Sequence, residues 1–340
     1  MGKILLVVGT LLITIGAAWL LKTHNTPADI ISPLLPKPTP LIQYTMENLR
    51  SRTYSGSQIV LEKVIKKEPT FTSYLFSFTS EGKKVTGQAN LPAGADKPAQ
   101  AGLPAGKGPF PVILMNRGYV DKEVYFTGVG TRKAAGEFAK AGFITLAPDF
   151  LGFGGSDPSS SDILETRFEK PITVINLFQS IETLSQADKE NVFMWGHSNG
   201  GQVSLLTLEI LQKPIPTVLW APVTRSFPES VLDYVGELDD QGRMVVASIS
   251  AFVETYDKDK FSVTPYLADI TAPFQINQGT ADVLVKEEWT AEFVKQMKNL
   301  GKDITYYVYP KNDHNLSRDW DLVVARNIQF YKKHLKLSNP

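Results

Sequence analysis

NVFMWGHSNGG, residues 191–201, is the stretch of this sequence that decides its fold. The apolar run Val192–Trp195 predicts a buried strand, and apolar residues at helical spacing predict a helix over Asn199–Gln212. Between the two elements stands G-x-S-x-G, the pattern of a nucleophile elbow. Such a turn is so tight that it projects the serine hydroxyl into a site, so Ser198 is the predicted nucleophile.

Strand and helix patterns alternate on both sides of this turn. The alternation predicts an α/β fold in which a mostly parallel central sheet is covered by helices on both faces. Three strand-like segments come first and predict antiparallel leading strands. Ligand sites of such sheets lie at the carboxyl ends of the strands. The predicted strands are 58–65, 72–79, 84–91, 112–115, 143–147, 192–195, 217–221, 274–277 and 304–309.

Residues 222–270 break the alternation, because a long segment separates two predicted strands. Two helix candidates lie within it, at 230–238 and 243–256. The segment is expected to form a small cap over the site or, as an alternative, an ordinary crossover with an extra helix. The sequence favours neither arrangement over the other.

The N-terminal segment Ile4–Leu21 is an almost unbroken apolar run whose length approaches that of a membrane-spanning helix. We expect residues 1–21 to be an uncleaved signal anchor, with cleavage near Gly16-Ala17-Ala18 as the alternative. Prolines follow, so residues 22–56 are expected to be a linker and residues 57–340 the folded domain. The expected location is the cell membrane, single-pass with the domain outside the cytoplasm, or secretion after cleavage.

Composition excludes several classes of function. The chain has 35 basic and 35 acidic side chains, and zero net charge argues against a nucleic acid bound through phosphate contacts. It has no cysteine, which excludes disulfides, thiol chemistry and cysteine-ligated metal. No histidine pair or carboxylate cluster has ligand spacing, so neither a metal nor a cofactor is predicted.

The base is found by elimination among four histidines. A serine hydroxyl needs a base to take its proton, and the base needs an acid to orient it. His24 lies in the expected linker, His197 lies inside the elbow, and His334 lies near the end of the chain. His314 follows the last predicted strand, from whose end a base can reach the serine. His314 is therefore the predicted base.

The acid is expected in a loop between the serine and the base. Asp282 directly follows a predicted strand and is the leading candidate, with Asp313 and Asp269 as weaker ones. Choosing Asp282 gives the chain order serine, acid, base. This order is found in α/β-hydrolases but in neither chymotrypsin nor subtilisin.

Two backbone N–H groups are expected to stabilise the negative charge that develops on the substrate oxygen. One belongs to Asn199, the first residue after the nucleophile, at the start of the predicted helix. The other is the N–H of Tyr119, in the loop Asn116–Tyr119 that follows the strand 112–115. Losing one such donor costs roughly 3–4 kcal/mol of transition-state stabilisation.

Together these motifs resemble an α/β-hydrolase, and within that group the chain is similar to the catalytic domain of the prolyl-oligopeptidase-like family. The resemblance covers roughly residues 58–335 and implies acyl transfer to water through a covalent acyl-Ser198. Arg117-Gly118 stands where the family often has His-Gly, and residues 46–110 are too few for the β-propeller that often precedes this domain. The motifs that carry the resemblance are Asn116–Tyr119, Pro148–Asp157, the elbow, Gly279–Asp282 and Asp313–Asn315.

Three functions are compatible with these residues. The first is a carboxylesterase acting on small or medium acyl esters, and the second is a serine peptidase acting on short peptides. The third is an inactive binding or scaffold protein that keeps the fold. Intact Ser198, Asp282 and His314 favour an enzyme, and the short N-terminal region slightly favours the ester. The expected partner is therefore a small-molecule ester or a short peptide.

Overall fold

The computed structural model describes residues 40–95, 109–237 and 240–336, and within them the strands form one nine-stranded sheet. The strands are β1 (Val60–Lys67), β2 (Phe71–Ser80), β3 (Lys83–Pro92), β4 (Phe110–Asn116), β5 (Ile144–Pro148), β6 (Ala187–His197), β7 (Thr217–Trp220), β8 (Phe274–Gly279) and β9 (Ile304–Tyr309). Their bounds lie within two residues of those predicted, except that β6 begins at Ala187 rather than at 192.

The strand order across the sheet is β1-β2-β3-β5-β4-β6-β7-β8-β9. The first three strands pair antiparallel, and β3 also pairs antiparallel with β5. Every pair from β5 across to β9 is parallel. The predicted fold class, a mostly parallel sheet with antiparallel leading strands, is confirmed. The loops that follow the parallel strands therefore meet at one edge of the sheet, called here the carboxyl edge.

Helices cover both faces of the sheet. On one face Phe138 and Tyr331 pack with ring centroids 5.6 Å apart. On the other face Val174, Leu205 and Phe293 enter the larger apolar core. The helices are α1 (Met46–Ser51), α2 (Arg132–Lys140), α3 (Glu165–Phe168), α4 (Lys170–Ser180), α5 (Asn199–Leu211), α6 (Glu229–Leu232), α7 (Asp240–Thr255), α8 (Glu287–Asn299) and α9 (Trp320–Lys333).

The central strands are buried because both of their faces meet helices. Val112, Ile113, Leu114 and Met115 of β4 are each 0% exposed, as expected for a parallel strand covered on two sides. A strand in such a position needs a continuous run of apolar residues rather than an alternation of apolar and polar ones. The rigid centre of the sheet thus fixes where its carboxyl edge lies.

The N-terminal boundary of the folded unit differs from the expected one. Residues 22–56 were expected to form a linker, but Leu41–Tyr44 is a 3-10 helix and Met46–Ser51 is α1. Leu41, Met46 and Leu49 are buried against the helical layer. The proline-rich composition ends at Pro40, and the apolar spacing after it suits helices that pack on one side. The folded unit therefore begins at Leu41.

The predicted membrane segment Ile4–Leu21 and the predicted linker up to residue 39 lie outside the described residues. Among the residues that the structure does describe, no helix combines the length and the apolar composition needed to cross a bilayer.

The segment 222–270, called here the insertion, lies between β7 and β8, and its described residues form α6, α7 and three 3-10 helices. Its role as a cap over the site stays a prediction. The predicted helix at 230–238 is divided between α6 and a 3-10 helix, Val235–Glu237. The ring of Phe252 in α7 packs on those of Phe227 and Phe261, with centroids 5.1 Å and 4.8 Å away. This aromatic cluster joins the insertion to the layer that holds α1.

Replacing Leu49 by alanine should lower the free energy of unfolding by about 2–5 kcal/mol, the usual cost of removing a buried leucine side chain. Leu49 is 4% exposed, whereas the nearby Ile42 is 49% exposed, so Ile42→Ala is the matched control. Urea unfolding of a chain that begins at Pro40 measures both changes. Equal, small effects of the two substitutions would contradict the packing of α1 on the domain.

Candidate active site

Ser198 lies between β6 and α5 in a backbone conformation that non-glycine residues rarely adopt. Its φ is 55° and its ψ is −123°. Neighbouring backbone groups hold this conformation. The N–H of Ser198 donates to the carbonyl of Trp220 at 3.0 Å, and its own carbonyl accepts from Val223 at 3.0 Å and from Gly201 at 2.9 Å. The strain is therefore sustained by hydrogen bonds to the end of β7 and to the first turn of α5.

The two glycines of the G-x-S-x-G pattern stand where no side chain fits. A Cβ on Gly196 would meet Oγ of Ser204 and the carbonyl of Gly200. A Cβ on Gly200 would overlap the backbone of Asn116, the last residue of β4, and of Arg117, which begins the loop after it. The predicted elbow is thus present, and its glycines allow strand, helix and neighbouring loop to touch.

Asp282 and His314 lie in the loops after β8 and β9, neighbouring parallel strands. Nδ1 of His314 is 2.8 Å from Oδ2 of Asp282. The Asp282 side chain is 0% exposed and that of His314 is 13% exposed. A carboxylate in this position accepts the Nδ1–H and leaves Nε2 as the free basic nitrogen. The structure therefore brings the predicted acid and the predicted base together.

Several donors keep Asp282 ionised. Burial alone would raise its pKa, but the hydrogen bond and charge of His314 and the N–H groups of Val285 and Leu284 lower it below the ordinary value. Both N–H groups are 2.9 Å from Oδ1. Nε2 of Gln278 donates to Oδ2 at 3.1 Å. Four hydrogen bonds thus fix the orientation of this carboxylate as well as its charge.

The two weaker acid candidates have other partners. Asp313 is exposed and accepts from the N–H groups of Asn315 and Ser317, which makes it a turn residue. Asp269 forms an ion pair with Arg50, at 2.8 Å. Neither carboxylate is hydrogen-bonded to His314 among the described contacts.

His197, which sequence reasoning treated only as a neighbour of Ser198, contacts His314, the predicted base. Its Nε2 is 3.0 Å from the carbonyl oxygen of His314, and the two rings have centroids 4.6 Å apart. Loss of hydration and the nearby His314 ring lower the pKa of His197 to about 4, although the carbonyl of His314 and the charge of Asp282 act in the opposite direction. A neutral His197 can donate its Nε2–H to that carbonyl, which joins the elbow to the loop of the base.

The loop Asn116–Tyr119 packs directly on Ser198. A Cβ added to Gly118 would lie 3.0 Å from Cβ of Ser198 and 3.6 Å from its Oγ. Tyr119 follows, with 68% of its surface exposed and its hydroxyl donating to Asp121. Asn199 begins α5, so its N–H has no carbonyl within the helix to bind. Both predicted oxyanion donors thus belong to backbone that adjoins the serine.

Arg117 holds the loop Asn116–Tyr119 in place through hydrogen bonds, a role that the sequence did not predict. It is 6% exposed, and its Nη1 donates to the carbonyl of Gly118 at 3.0 Å. Its Nη2 donates to the carbonyl of Asp149 at 3.1 Å. The rings of Phe153 and Tyr125 lie 4.3 Å and 4.5 Å from the guanidinium carbon. The sign of this role in the sequence was that Arg117 stands where the family often has histidine.

The carboxylate of Asp149 is buried and accepts three hydroxyl groups. Thr86 lies at 2.5 Å, Tyr125 at 2.6 Å and Thr127 at 2.9 Å. These residues come from β3 and from the loop after β4, so the sequence gives no local sign of their meeting. The cluster also contacts Arg117, through the carbonyl of Asp149 and the ring of Tyr125. Within the described residues, no group of histidine and carboxylate side chains is arranged to hold a metal ion.

Comparison with known proteins places this chain in a family. A family model described as the prolyl oligopeptidase family matches residues 137–338. Among curated proteins no significant match was found. The acylaminoacyl peptidase of Pyrococcus horikoshii is similar in structure, with a TM-score of 0.58 and 17% identity over 80% of this chain and 43% of that one.

Two esterase structures are similar over nearly their whole length. An esterase of Pyrococcus furiosus gives a TM-score of 0.56 and 17% identity, covering 83% of this chain and 98% of its own. Est1E of Butyrivibrio proteoclasticus, with bound ferulic acid, gives 0.53 and 16%, covering 76% and 98%. The chain spans less than half the length of the peptidase structures. Because the family model covers more than half of this sequence, the chain belongs to the prolyl oligopeptidase family.

Proposed function

We propose that Ser198, His314 and Asp282 carry out the reaction of this serine hydrolase, on esters of small or medium acyl groups. One observation carries the proposal: the buried, ionised Asp282 is bonded to Nδ1 of His314, and the His314 ring lies against His197, the residue before Ser198 in the elbow. That combination is what nucleophilic catalysis by serine requires. The proposal is also supported by the contact of His197 with the loop of His314.

The reaction would follow from these positions. Nε2 of His314 takes the proton of Ser198 as Oγ attacks the substrate carbonyl carbon. The N–H groups of Tyr119 and Asn199 then stabilise the oxyanion. His314 returns the proton to the leaving group, which departs and leaves an acyl-Ser198. Water, deprotonated by the same histidine, releases the acid, while Asp282 stabilises the imidazolium in both steps.

Esters are the first candidate substrates, and proteins similar to this chain in structure include two esterases. Short peptides are the second candidate, because the matching family model is that of prolyl oligopeptidases. The same catalytic residues serve either substrate. Parallel assays on nitrophenyl butyrate and on aminoacyl nitroanilides, with the chain from Pro40, decide between them.

A fluorophosphonate probe should label the protein once, at Ser198, and Ser198→Ala should remove both the label and ester hydrolysis. The reason is that the probe requires an activated serine, which the elbow and His314 provide. Mass spectrometry of the labelled peptide locates the adduct. Ser250→Ala, at an exposed serine of α7, is the control and should still be labelled. Labelling at another serine, or undiminished turnover of Ser198→Ala, would contradict the proposal.

kcat/KM should rise with pH through a single ionisation, because only neutral His314 can accept the proton of Ser198. His197 adds no second step above pH 5, since its pKa is about 4 and it stays neutral there. His197→Ala should lower kcat, because His314 loses a hydrogen bond to its carbonyl and a neighbouring ring. His334→Ala is the control, since that ring binds only the carbonyl of Phe330 among the described hydrogen bonds.

The assignment of the base is tested by the same series. His314→Ala should abolish turnover while the thermal transition changes little. An active His314→Ala protein together with an inactive His197→Ala protein would reverse the roles of the two histidines.

The location is a further part of the proposal. The apolar run Ile4–Leu21 supports a protein held at the membrane, with its catalytic domain outside the cytoplasm. The full chain should need detergent for extraction and should resist an alkaline carbonate wash, whereas a chain that begins at Pro40 should be soluble and active. A mature N-terminus near Trp19, in the soluble extracytoplasmic fraction, would replace the anchor with a cleaved signal.

A further inference from the structure

The loop that carries Asp282, called here the acid loop, consists of residues 280–286 between β8 and α8. Within it only the side chains of Asp282 and Val285 are buried, and the other five residues are exposed. At the start of the loop, the N–H of Ala281 donates to the carbonyl of Asn312 at 2.9 Å. A loop with few buried side chains is held in one conformation mainly by hydrogen bonds. The position of the acid therefore depends on the groups that bind this loop.

Gln278, next to last in β8, binds the acid loop through a single amide nitrogen. Its Nε2 donates to the carbonyl of Val285 at 2.9 Å, to Oδ2 of Asp282 at 3.1 Å and to the carbonyl of Gly279 at 3.2 Å. The residue is 0% exposed, so no water competes for these bonds. One side chain of the sheet thus joins the residue before the loop, the acid itself and the end of the loop.

The carboxylate of Asp282 is otherwise held by groups that move with it or by the base. Oδ1 accepts from the N–H groups of Leu284 and Val285, which belong to the acid loop. Oδ2 accepts from Nδ1 of His314, at 2.8 Å, and from Gln278. Among the described hydrogen bonds, Gln278 is therefore the one link between this carboxylate and the rigid sheet.

An uncharged donor suits this place. A lysine or arginine beside Oδ2 would form an ion pair with Asp282, and its positive charge would disfavour the imidazolium that forms on His314. The amide of Gln278 donates hydrogen bonds without carrying a charge. It can therefore fix the carboxylate and leave the negative charge of Asp282 to the base.

Thr290, on α8, determines which way the amide of Gln278 points. It is 0% exposed, and its hydroxyl donates to Oε1 of Gln278 at 2.9 Å. A reversed amide would place Oε1 against three oxygen atoms and would lose the hydrogen bond from Thr290. A continuous chain of buried hydrogen bonds thus runs from Thr290 through Gln278 and Asp282 to His314.

We propose that Gln278, oriented by Thr290, is a positioning residue for the reaction. It holds the acid loop so that Oδ2 of Asp282 stays on Nδ1 of His314, which fixes the tautomer and the orientation of the ring when it takes the proton of Ser198. The inference rests on the proposed function of these catalytic residues. It adds to it the groups through which the sheet and α8 act on the base.

Gln278→Met tests the inference on the full chain, with nitrophenyl butyrate as substrate. Methionine has a similar length but cannot donate to the three oxygen atoms. We expect kcat to fall by about 10- to 100-fold, because the base loses its alignment, while KM stays close to that of the wild type. An undiminished kcat, or a loss confined to KM, would overturn the inference.

Gln275→Met is the matched control. Gln275 is 3% exposed and lies on the same strand, but its amide binds Asn277 at 3.4 Å instead of the acid loop. The substitution removes a buried amide of the same kind and should keep the wild-type kcat. Losses of kcat that are equal in Gln275→Met and Gln278→Met would assign both to general destabilisation and would contradict the inference.

A proton resonance separates positioning from stability. At low pH the Nδ1 proton of His314, bonded to the carboxylate of Asp282, should give a resonance far downfield in the NMR spectrum of the wild type. Gln278→Met should broaden or remove this resonance, because the carboxylate is no longer fixed, whereas Gln275→Met should retain it. A fall in kcat with an unchanged resonance would show a merely structural role for Gln278.

A double-mutant cycle tests the part of Thr290. Thr290→Val removes the hydroxyl and should lower kcat, although less than Gln278→Met does, and Thr290→Ser should restore it. In a protein that already carries Gln278→Met, Thr290→Val should change kcat no further, because the hydroxyl acts through the amide. Independent effects that multiply in the double variant would contradict the chain from Thr290 to Asp282.

Failure of this inference is distinguishable from failure of the proposed function. If the wild type hydrolyses the ester and the fluorophosphonate labels Ser198, while Gln278→Met keeps the wild-type kcat, only the role of Gln278 is wrong. If the wild type hydrolyses no ester and Ser198 is not labelled, the proposed function is wrong, and the inference falls with it.

Discussion

The close approach of Gly200 to the backbone of Asn116 is the contact on which the site depends. It brings the first turn of α5 against the loop after β4, with no side chain between them. That approach lets Gly118 lie on Ser198. Positive φ at Ser198 is part of the same constraint, because a relaxed turn would move the serine away from the loop.

The sequence alone predicted those features that depend on residues close together in the chain. Strands such as β4 are recognisable because each is a continuous apolar run, and the elbow because its glycines stand at fixed spacing around Ser198. Asp282 and His314 were also predicted, since the carboxyl ends of parallel strands must meet at one edge. The topology of the sheet therefore shows which distant residues come together. Asp282 and His314 are in contact because the loops after β8 and β9 meet at the carboxyl edge.

The contacts that were not predicted join segments whose meeting does not follow from the order of the strands. Arg117 is held by rings and a carbonyl from the loop after β5, and Asp149 by hydroxyls from two other segments. Burial is predicted from the spacing of apolar residues, and a single arginine or aspartate is not part of such a pattern. The contact of His197 with the carbonyl of His314 is similar, because it depends on the path of one loop. The start of the folded unit at Leu41, rather than near residue 57, depends on packing against the insertion.

The attachment of the N-terminal segment also has a mechanical consequence. Leu41 and α1 pack on the helical layer formed with α5 and the insertion, and not on the strands of the sheet. A force pulling on the chain at Pro40 would therefore load this layer first. Arg50 transmits part of that load, because it binds the carbonyl of Glu209 in α5 and the carboxylate of Asp269. The end of α5 that is farther from Ser198 is thus bonded to the first helix of the folded unit.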